Sequence, residues 1–196
     1  TTNDTCSGID SVFINYFPDI IANTTIEDTS ICNGESIFLD VIGGSLYTWS
    51  PITNSNGDTI ISNFSSQNPL VFPIDSTVFT VSIFDVNGCF IQDSSTVFIK
   101  PLPIVNLGQD LSYCLNDSIQ ISFPSIPSQS YLWSPNYLIN NITVSNPIIY
   151  SLIDTVYILA LTDSNSCTNF DSISVFINDL PNLDILGQDT TCSTDS

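Results

Sequence analysis

Five short motifs recur in the same order along this chain, at spacings of 78 to 84 residues. One of them is Tyr-Thr-Trp-Ser-Pro at 47–51, which returns as Tyr-Leu-Trp-Ser-Pro at 131–135. The other four pairs are 85–89 with 163–167, 68–69 with 146–147, 97–99 with 175–177, and 107–110 with 186–189. Chance would not keep five motifs in order, so the sequence predicts a tandem array of one structural unit.

The motifs also set the phase of the array. Residues 6–14 match residues 89–99 with two residues missing, so the chain is expected to open with the last strand of an earlier repeat. The predicted organisation is a C-terminal strand of a preceding repeat over 1–17, whole repeats over 18–100 and 101–180, and the start of a following repeat over 181–196. On this interpretation the parent protein continues in both directions.

The pattern inside each repeat is that of β-strands. Residues 77–84 are rich in β-branched and aromatic side chains, and Asn-Gly pairs at 56–57 and 87–88 are typical of tight turns between strands. In repeat one, strands are predicted near 20–26, 36–42, 45–50, 59–62, 69–73, 77–84 and 93–99. This pattern predicts an all-β chain of tandem, seven-stranded, immunoglobulin-like β-sandwiches arranged head to tail.

The composition excludes several classes of function. The 196-residue chain has one Lys or Arg, 20 Asp or Glu and no His, which gives a formal net charge of −19. Binding to nucleic acid needs several cationic side chains, so it is excluded. Without His, the commonest general base and zinc ligand is missing, so we expect no enzyme, no catalytic residue and no cofactor. No apolar run is long enough to cross a bilayer, so direct membrane insertion is not expected.

Six cysteines in a chain without Met favour an oxidising, extracellular compartment. The predicted strand directions place Cys32 and Cys114, before the second strand, at the opposite end of the sandwich from Cys89 and Cys167, after the sixth. A disulfide needs Cα atoms within about 7 Å, which disfavours a bridge inside one repeat.

Two disulfide patterns therefore stay open. One is an inter-domain bridge, Cys32–Cys167, with Cys6, Cys192 and the two remaining cysteines pairing outside this segment. The other is the conventional pattern of bridges within each repeat, Cys32–Cys89 and Cys114–Cys167.

The aromatic motif allows two interpretations. Trp49 and Trp133 fit the buried core tryptophan of such sandwiches, and the alternative is that Tyr47 and Trp49, which share one face of a strand, form an exposed platform for sugars. Tyr157 is a candidate tyrosine corner, whose counterpart Phe79 has no hydroxyl.

Calcium is the one metal for which the sequence offers candidate ligands. They are the oxygen-bearing side chains of the recurring turn, Asp85, Asn87, Asp163 and Asn165. The simpler interpretation is that these residues only form a hairpin turn.

Taken together, the ordered motifs resemble the PKD-like or Ig-like tandem repeats of Bacteroidetes surface proteins. That family comprises giant secreted adhesins and gliding-motility-associated proteins exported by the type IX system. Two positions depart from the shared pattern, because Ser166 replaces the turn glycine of repeat one and Asn116 replaces Gly34.

The resemblance also implies covalent glycans, since proteins exported in that phylum are often O-glycosylated at Asp-Ser or Asp-Thr followed by an apolar residue or Thr. The matching hydroxyls are Ser11, Thr59, Ser76, Ser118, Thr155, Ser172 and Thr190.

The function predicted from these features is that of a structural spacer in a long extracellular, cell-surface adhesin or filament, which presents a distal binding region. Its partners would be neighbouring repeats of the same chain, or like chains in a fibre. The alternatives are a carbohydrate-binding accessory module of a secreted enzyme and the repeat unit of a self-assembling extracellular fibre.

Overall fold

The structure is a computed structural model that describes residues 8–25 and 27–181. It divides into two compact units, of which unit 1 ends at Lys100 and unit 2 begins at Pro101. Within the described ranges all regular elements are strands, and no helix is present that could cross a membrane. Three residues named above, Cys6, Thr190 and Cys192, lie outside the described residues.

Unit 1 is built on a four-stranded sheet in the order β2-β8-β7-β5. Strand β2 runs parallel to β8, whereas β7 is antiparallel to both of its neighbours. Two short antiparallel pairs, β3-β6 and β1-β4, complete the strand pairing of the described part of this unit. Its strands are β1 (Asn23–Thr24), β2 (Thr29–Cys32), β3 (Ile37–Phe38), β4 (Val41–Ile42), β5 (Leu46–Ser50), β6 (Leu70–Val71), β7 (Thr77–Phe84) and β8 (Phe90–Lys100).

Unit 2 repeats the same plan. Its four-stranded sheet has the order β11-β13-β14-β9, with β9 parallel to β14, and β10 pairs with β12 in a second sheet. The strands are β9 (Leu111–Cys114), β10 (Ile119–Gln120), β11 (Ser130–Ser134), β12 (Ile148–Ile149), β13 (Thr155–Thr162) and β14 (Thr168–Asn178). The strand order of the main sheet is thus the same in both units.

Each unit has its own hydrophobic core, filled by alternate residues of its strands. In β7 the side chains of Phe79, Val81 and Ile83 are fully buried, while the residues between them are more exposed. From the other sheet of unit 1, Val71 packs into the same cluster. Burying one such side chain contributes about 1.5–3 kcal/mol to folding, so period-two alternation is enough to fix which face of the sheet turns inward.

The core of unit 2 is built in the same way but is richer in aromatic hydroxyls. Strand β13 buries Tyr157, Leu159 and Leu161, and the Tyr113 hydroxyl donates to the Ser151 carbonyl oxygen at 2.8 Å. Burial raises the pKa of Tyr113. These separate cores confirm the predicted fold class of tandem immunoglobulin-like sandwiches, and the head-to-tail arrangement stays a prediction.

The strand predictions were accurate for the long hairpins and wrong for the short first strands. The predicted strand 77–84 is β7 as observed, and the predicted strand 93–99 lies inside β8. The segment 29–32 was not predicted as a strand but forms β2, and residues 59–62 contain only isolated bridges. The described part of unit 1 has eight strands rather than seven. The gain of β2 offsets the loss of 59–62, and the predicted strand 36–42 is split into β3 and β4.

The recurring turn between the two longest strands keeps the same backbone in both units. Gly88 has a φ of 82°, and Ser166, its counterpart, has a φ of 66°. In unit 2 the departure from glycine therefore leaves the turn geometry in place. It does so with a residue whose Cβ disfavours the left-handed conformation.

We predict that exchanging these two residues has opposite effects on stability. Ser166→Gly should raise the free energy of unfolding of unit 2 by about 1 kcal/mol, because glycine relieves the Cβ clash at positive φ, and Gly88→Ser should lower that of unit 1 by a similar amount. Urea unfolding followed by hydrogen exchange resolved to each unit measures both. A stabilised Gly88→Ser protein would contradict this account of the turn.

Candidate functional site

The Tyr-x-Trp motif forms part of the core and not a surface platform. Trp49 is completely buried and its indole N–H donates to the Ser66 carbonyl oxygen at 2.9 Å. Trp133 is 1% exposed and donates to the Val144 carbonyl oxygen at 2.8 Å. A sugar cannot stack on either ring, so the alternative interpretation of this motif as a carbohydrate platform is wrong.

Tyr157 is buried but does not make the local tyrosine corner. Its hydroxyl donates to the Tyr137 carbonyl oxygen at 3.2 Å and also lies 3.4 Å from that of Leu138. These acceptors lie in the loop after β11, about 20 residues upstream, whereas a tyrosine corner bonds to backbone only a few residues away. The tyrosine-corner prediction is therefore wrong. Burial raises the pKa of Tyr157, and Phe79 fills the equivalent place in unit 1 without a hydroxyl.

An aspartate in the last strand of each unit holds the segment that enters that unit. In unit 1, Asp93 accepts hydrogen bonds from the Thr24 backbone N–H at 2.7 Å and from the Thr24 hydroxyl at 2.9 Å. In unit 2, Asp171 accepts from the Leu107 N–H at 2.7 Å. We call this pair of contacts the entry clamp. It ties the incoming chain to the most extensively paired strand of each sandwich.

A second aspartate in each unit makes the reverse contact, because it lies in the incoming segment and accepts a hydrogen bond from the last strand. Asp28 accepts from the Thr96 N–H at 2.9 Å, and Asp110 accepts from the Ser174 N–H at 2.8 Å. Both carboxylates come just before the short parallel strands β2 and β9. Each accepts from the N–H group of the last-strand residue that comes immediately before the parallel ladder. This contact fixes where that ladder starts.

The entry clamp of unit 1 favours the ionised carboxylate. The backbone N–H of Thr24 is the main reason that the pKa of Asp93 lies below its usual 3.8, with the Ser94 N–H and the Thr24 hydroxyl adding to the effect. Partial desolvation acts in the other direction and is outweighed. Folding and ionisation of Asp93 are therefore coupled.

The four calcium candidates form hairpin turns. One oxygen of Asp85 accepts from the N–H groups of Asn87 and Cys89 at 2.8 and 2.9 Å, and the other accepts from the Asn87 side chain at 3.1 Å. Partial desolvation opposes ionisation of Asp85, but hydrogen bonds from Asn87, Cys89 and Gly88 together lower its pKa.

Asp163 and Asn165 repeat this turn in unit 2, at 2.8 Å for the Asn165 N–H. Across the part of the chain that the structure describes, no group of three His, Cys, Asp or Glu side chains is placed to hold a metal ion. The prediction of calcium binding gains no support from this geometry.

Each of the four described cysteines lies beside one end of the longest strand of its own unit. Cys32 is the partner of Lys100, the last residue of β8, whereas Cys89 comes just before Phe90, the first. Eleven strand residues at about 3.3 Å each separate these ends by roughly 35 Å, far more than a disulfide can span. Cys114 and Cys167 stand in the same relation across β14.

The redox states agree with that separation. Cys32 and Cys167 are disulfide-bonded, whereas Cys89 and Cys114 are free thiols. The bridges Cys32–Cys89 and Cys114–Cys167 are therefore not formed, and the conventional pattern is wrong for this reason of distance. Cys32 does precede residues 36–42, the predicted second strand, but it also ends the short strand β2, which was not predicted.

The predicted glycosylation residues differ in accessibility. Thr155 is only 9% exposed and its hydroxyl donates to the Ile153 carbonyl oxygen at 2.9 Å, so no sugar can be attached there without disrupting the core. Thr155 is therefore wrong as a glycosylation candidate. The exposed hydroxyls are those of Ser11, Thr59, Ser76, Ser118 and Ser172.

Comparison with known proteins shows similarity of fold. No family model matches the sequence, and a search of curated proteins finds no match. Among solved structures, the chain is similar to the insect immune protein hemolin, with 14% identity over 79% of this chain and 45% of that chain and a TM-score of 0.39.

Two other solved structures show similarity of the same kind. Immunoglobulin domains 1–4 of Sidekick-1 share 10% identity over 80% of this chain and 48% of that chain, with a TM-score of 0.32. The tandem Ig repeats of Dlar share 11% over 81% of this chain and 98% of that chain, also at 0.32. The chain spans about half the length of the hemolin and Sidekick-1 structures. These similarities are limited to the general type of fold.

We predict that removing the entry clamp destabilises unit 1 in a pH-dependent way. Asp93→Ala should lower the free energy of unfolding by about 1 kcal/mol at pH 7, because it deletes a charge-assisted acceptor at a site that water partly screens. The folded-state pKa is lowered, so this contribution is present above 3.8 and is lost as the pH falls through the lower folded-state value.

The matched control for this prediction is Asp75→Ala, which removes an exposed carboxylate from the turn before β7. Unfolding free energies of the two variants and the parent are compared from pH 7 down to pH 2.5. If Asp93→Ala and Asp75→Ala have equal effects at every pH, the entry clamp does not stabilise the unit.

Proposed function

We propose that this chain is a structural spacer segment of a long extracellular, cell-surface adhesin or filament, in which repeats hold a distal binding region away from the cell. The observation that carries the proposal is that two sandwiches with the same strand order, each with its own core, follow one another along the chain. Because each unit buries its own apolar side chains, the design can be repeated without a larger core.

The segment between the two cores favours a spacer. Residues 101–110 contain two prolines, which fix φ, and the entry clamp anchors Leu107 to Asp171 of the same unit. A further bond joins the Asn169 side-chain amide to the Pro103 carbonyl oxygen at 2.9 Å. Unit 2 therefore holds its own incoming segment by hydrogen bonds at both Pro103 and Leu107.

A Bacteroidetes origin, type IX export and a PKD-like identity belong to the same proposal. They rest on the sequence resemblance, and the immunoglobulin-like fold of both units is consistent with them. Dispersed acidic residues support the proposal too, since a net charge of −19 keeps a long repetitive protein soluble. In this role the chain is not an enzyme, and it needs no cofactor.

Within this proposal, Cys32 and Cys167 form a bridge with each other and so join one repeat to the next. Two observations support the pairing: both residues are disulfide-bonded, and both candidate partners inside their own units, Cys89 and Cys114, are free thiols. Such a bond favours an extracellular location, where disulfides persist.

The bridge gives a test in which the expected length is fixed by the sequence. When the oxidised protein is stretched from its two ends, the roughly 135 residues between Cys32 and Cys167 should stay closed, and reduction should release about 470 Å of additional contour length. Cys32→Ser should give the full length without reductant, and Cys114→Ser, which removes a free thiol, should behave like the parent.

Peptide mapping without reductant is the direct check on that bridge. A peptide that joins Cys32 to Cys167 is expected. A peptide that joins either residue to Cys6 or Cys192 would contradict the inter-repeat bridge, as would full extension of the oxidised protein.

Covalent glycans are the second testable part of the proposal. In protein isolated from its native source, intact glycopeptides should carry hexose at exposed hydroxyls such as Ser118 and Ser172 and none at the buried Thr155. Asp117→Asn, which removes the acidic residue of the motif, should abolish modification of Ser118 while leaving the hydroxyl in place. Absence of hexose from all of the exposed positions would defeat this part.

A further inference from the structure

Each free thiol occupies the same position in its unit as one of the bonded cysteines does in the other unit. Cys114 ends β9 as Cys32 ends β2, and the N–H of the residue that follows donates to the end of the last strand in each unit: Asn33 to Lys100 at 2.9 Å and Leu115 to Asn178 at 2.8 Å. We call Cys32 and Cys114 the strand-end cysteines.

The other two cysteines occupy identical turns. The Cys89 N–H donates to Asp85 at 2.9 Å and the Cys167 N–H donates to Asp163 at 2.9 Å. The reverse bonds, from the aspartate N–H to the cysteine carbonyl oxygen, measure 2.9 and 3.0 Å. We call Cys89 and Cys167 the turn cysteines. Each class thus has one bonded member and one free member.

We infer that this chain joins a second copy of itself in one direction only, through a disulfide between the strand-end Cys114 of one copy and the turn Cys89 of the next. The inference rests on the proposed function, because the bonded pair there also combines one strand-end cysteine with one turn cysteine. If that combination is the rule, the free strand-end cysteine of one copy and the free turn cysteine of another form the matching pair.

Both thiols can be reached by another chain. Cys114 is exposed and Cys89 is partly exposed. Cys89 borders a shallow hollow in which apolar side chains are exposed, among them Phe17 at 52% and Phe90 at 62%. The strand-end residue of another copy can therefore approach the turn without displacing a strand of unit 1. The hollow is lined by Phe17, Pro18, Asp19, Ile20, Cys89, Phe90 and Ile91.

The oxidation needs an acceptor for two electrons, and a small disulfide such as oxidised glutathione supplies it. The Cys114 thiolate attacks one glutathione sulfur, so that a mixed disulfide forms and one glutathione thiolate leaves. The Cys89 thiolate of the second copy then attacks the Cys114 sulfur and releases the second glutathione thiolate. Two cysteine thiols lose two protons and two electrons, and one glutathione disulfide is reduced to two thiols.

The test mixes two single-thiol proteins at high concentration. Both carry Cys6→Ser and Cys192→Ser; one also carries Cys114→Ser and keeps the turn thiol, and the other carries Cys89→Ser and keeps the strand-end thiol. One of them is labelled with ¹⁵N, and oxidised glutathione is added in 1 M NaCl, where the Debye length of about 3 Å screens the repulsion between acidic copies.

The expected product is the mixed dimer joined through Cys114 and Cys89, in at least about tenfold excess over either homodimer. The random outcome for two thiols that react without preference, mixed in equal amounts, is a 1:2:1 distribution. That distribution, an excess of homodimers, or no dimer at all would overturn the inference. Native mass spectrometry reads the three products directly.

A non-reducing digest of the same samples reports on the proposed function separately. If the peptide that joins Cys32 to Cys167 is present while Cys114 and Cys89 show no preference, the directional joining of copies fails and the spacer proposal stands. If the Cys32–Cys167 peptide is absent, the bridge within the proposed spacer itself fails.

Discussion

The parallel pairing of a four-residue strand with the last strand is the constraint on which both units depend. Strand β2 lies on β8 with Cys32 opposite Lys100, and β9 lies on β14 with Cys114 opposite Asn178. This pairing fixes where the chain enters each sandwich, and it places the strand-end cysteine at the far end of the longest strand from the turn cysteine. The distance between the two classes, and hence which bridges can form, follows from it.

The sequence was informative where local pattern and repetition coincide. The alternation in 77–84 predicted β7, and the recurrence of the Trp-Ser-Pro motif predicted two equivalent cores, because apolar periodicity decides which face of a strand is buried. The separation of Cys32 from Cys89 was also predicted correctly, although from a different strand assignment. Each of these predictions used only local strand patterns and their repetition along the chain.

The sequence was uninformative where a contact joins distant residues. Nothing in Thr29–Cys32 indicates a strand until β8 is beside it, and the acceptor of Tyr157 lies in a loop that periodicity does not place. Thr155 carries a plausible acceptor motif but opens the alternating strand β13 on its buried side. The entry clamp was missed as well, because Asp93 and Thr24 are 69 residues apart.

The parallel ladder at the first and last strands also determines how a unit responds to tension. When no bridge joins Cys32 to Cys167, tension reaches the main sheet of unit 1 at the start of β2 and leaves it at the end of β8, so opposite forces on the two strands act along their axes. The hydrogen bonds between them are then loaded together in shear and cannot be opened one at a time like a zipper. A short strand can thus resist more force than its length suggests, since its bonds must break as a group.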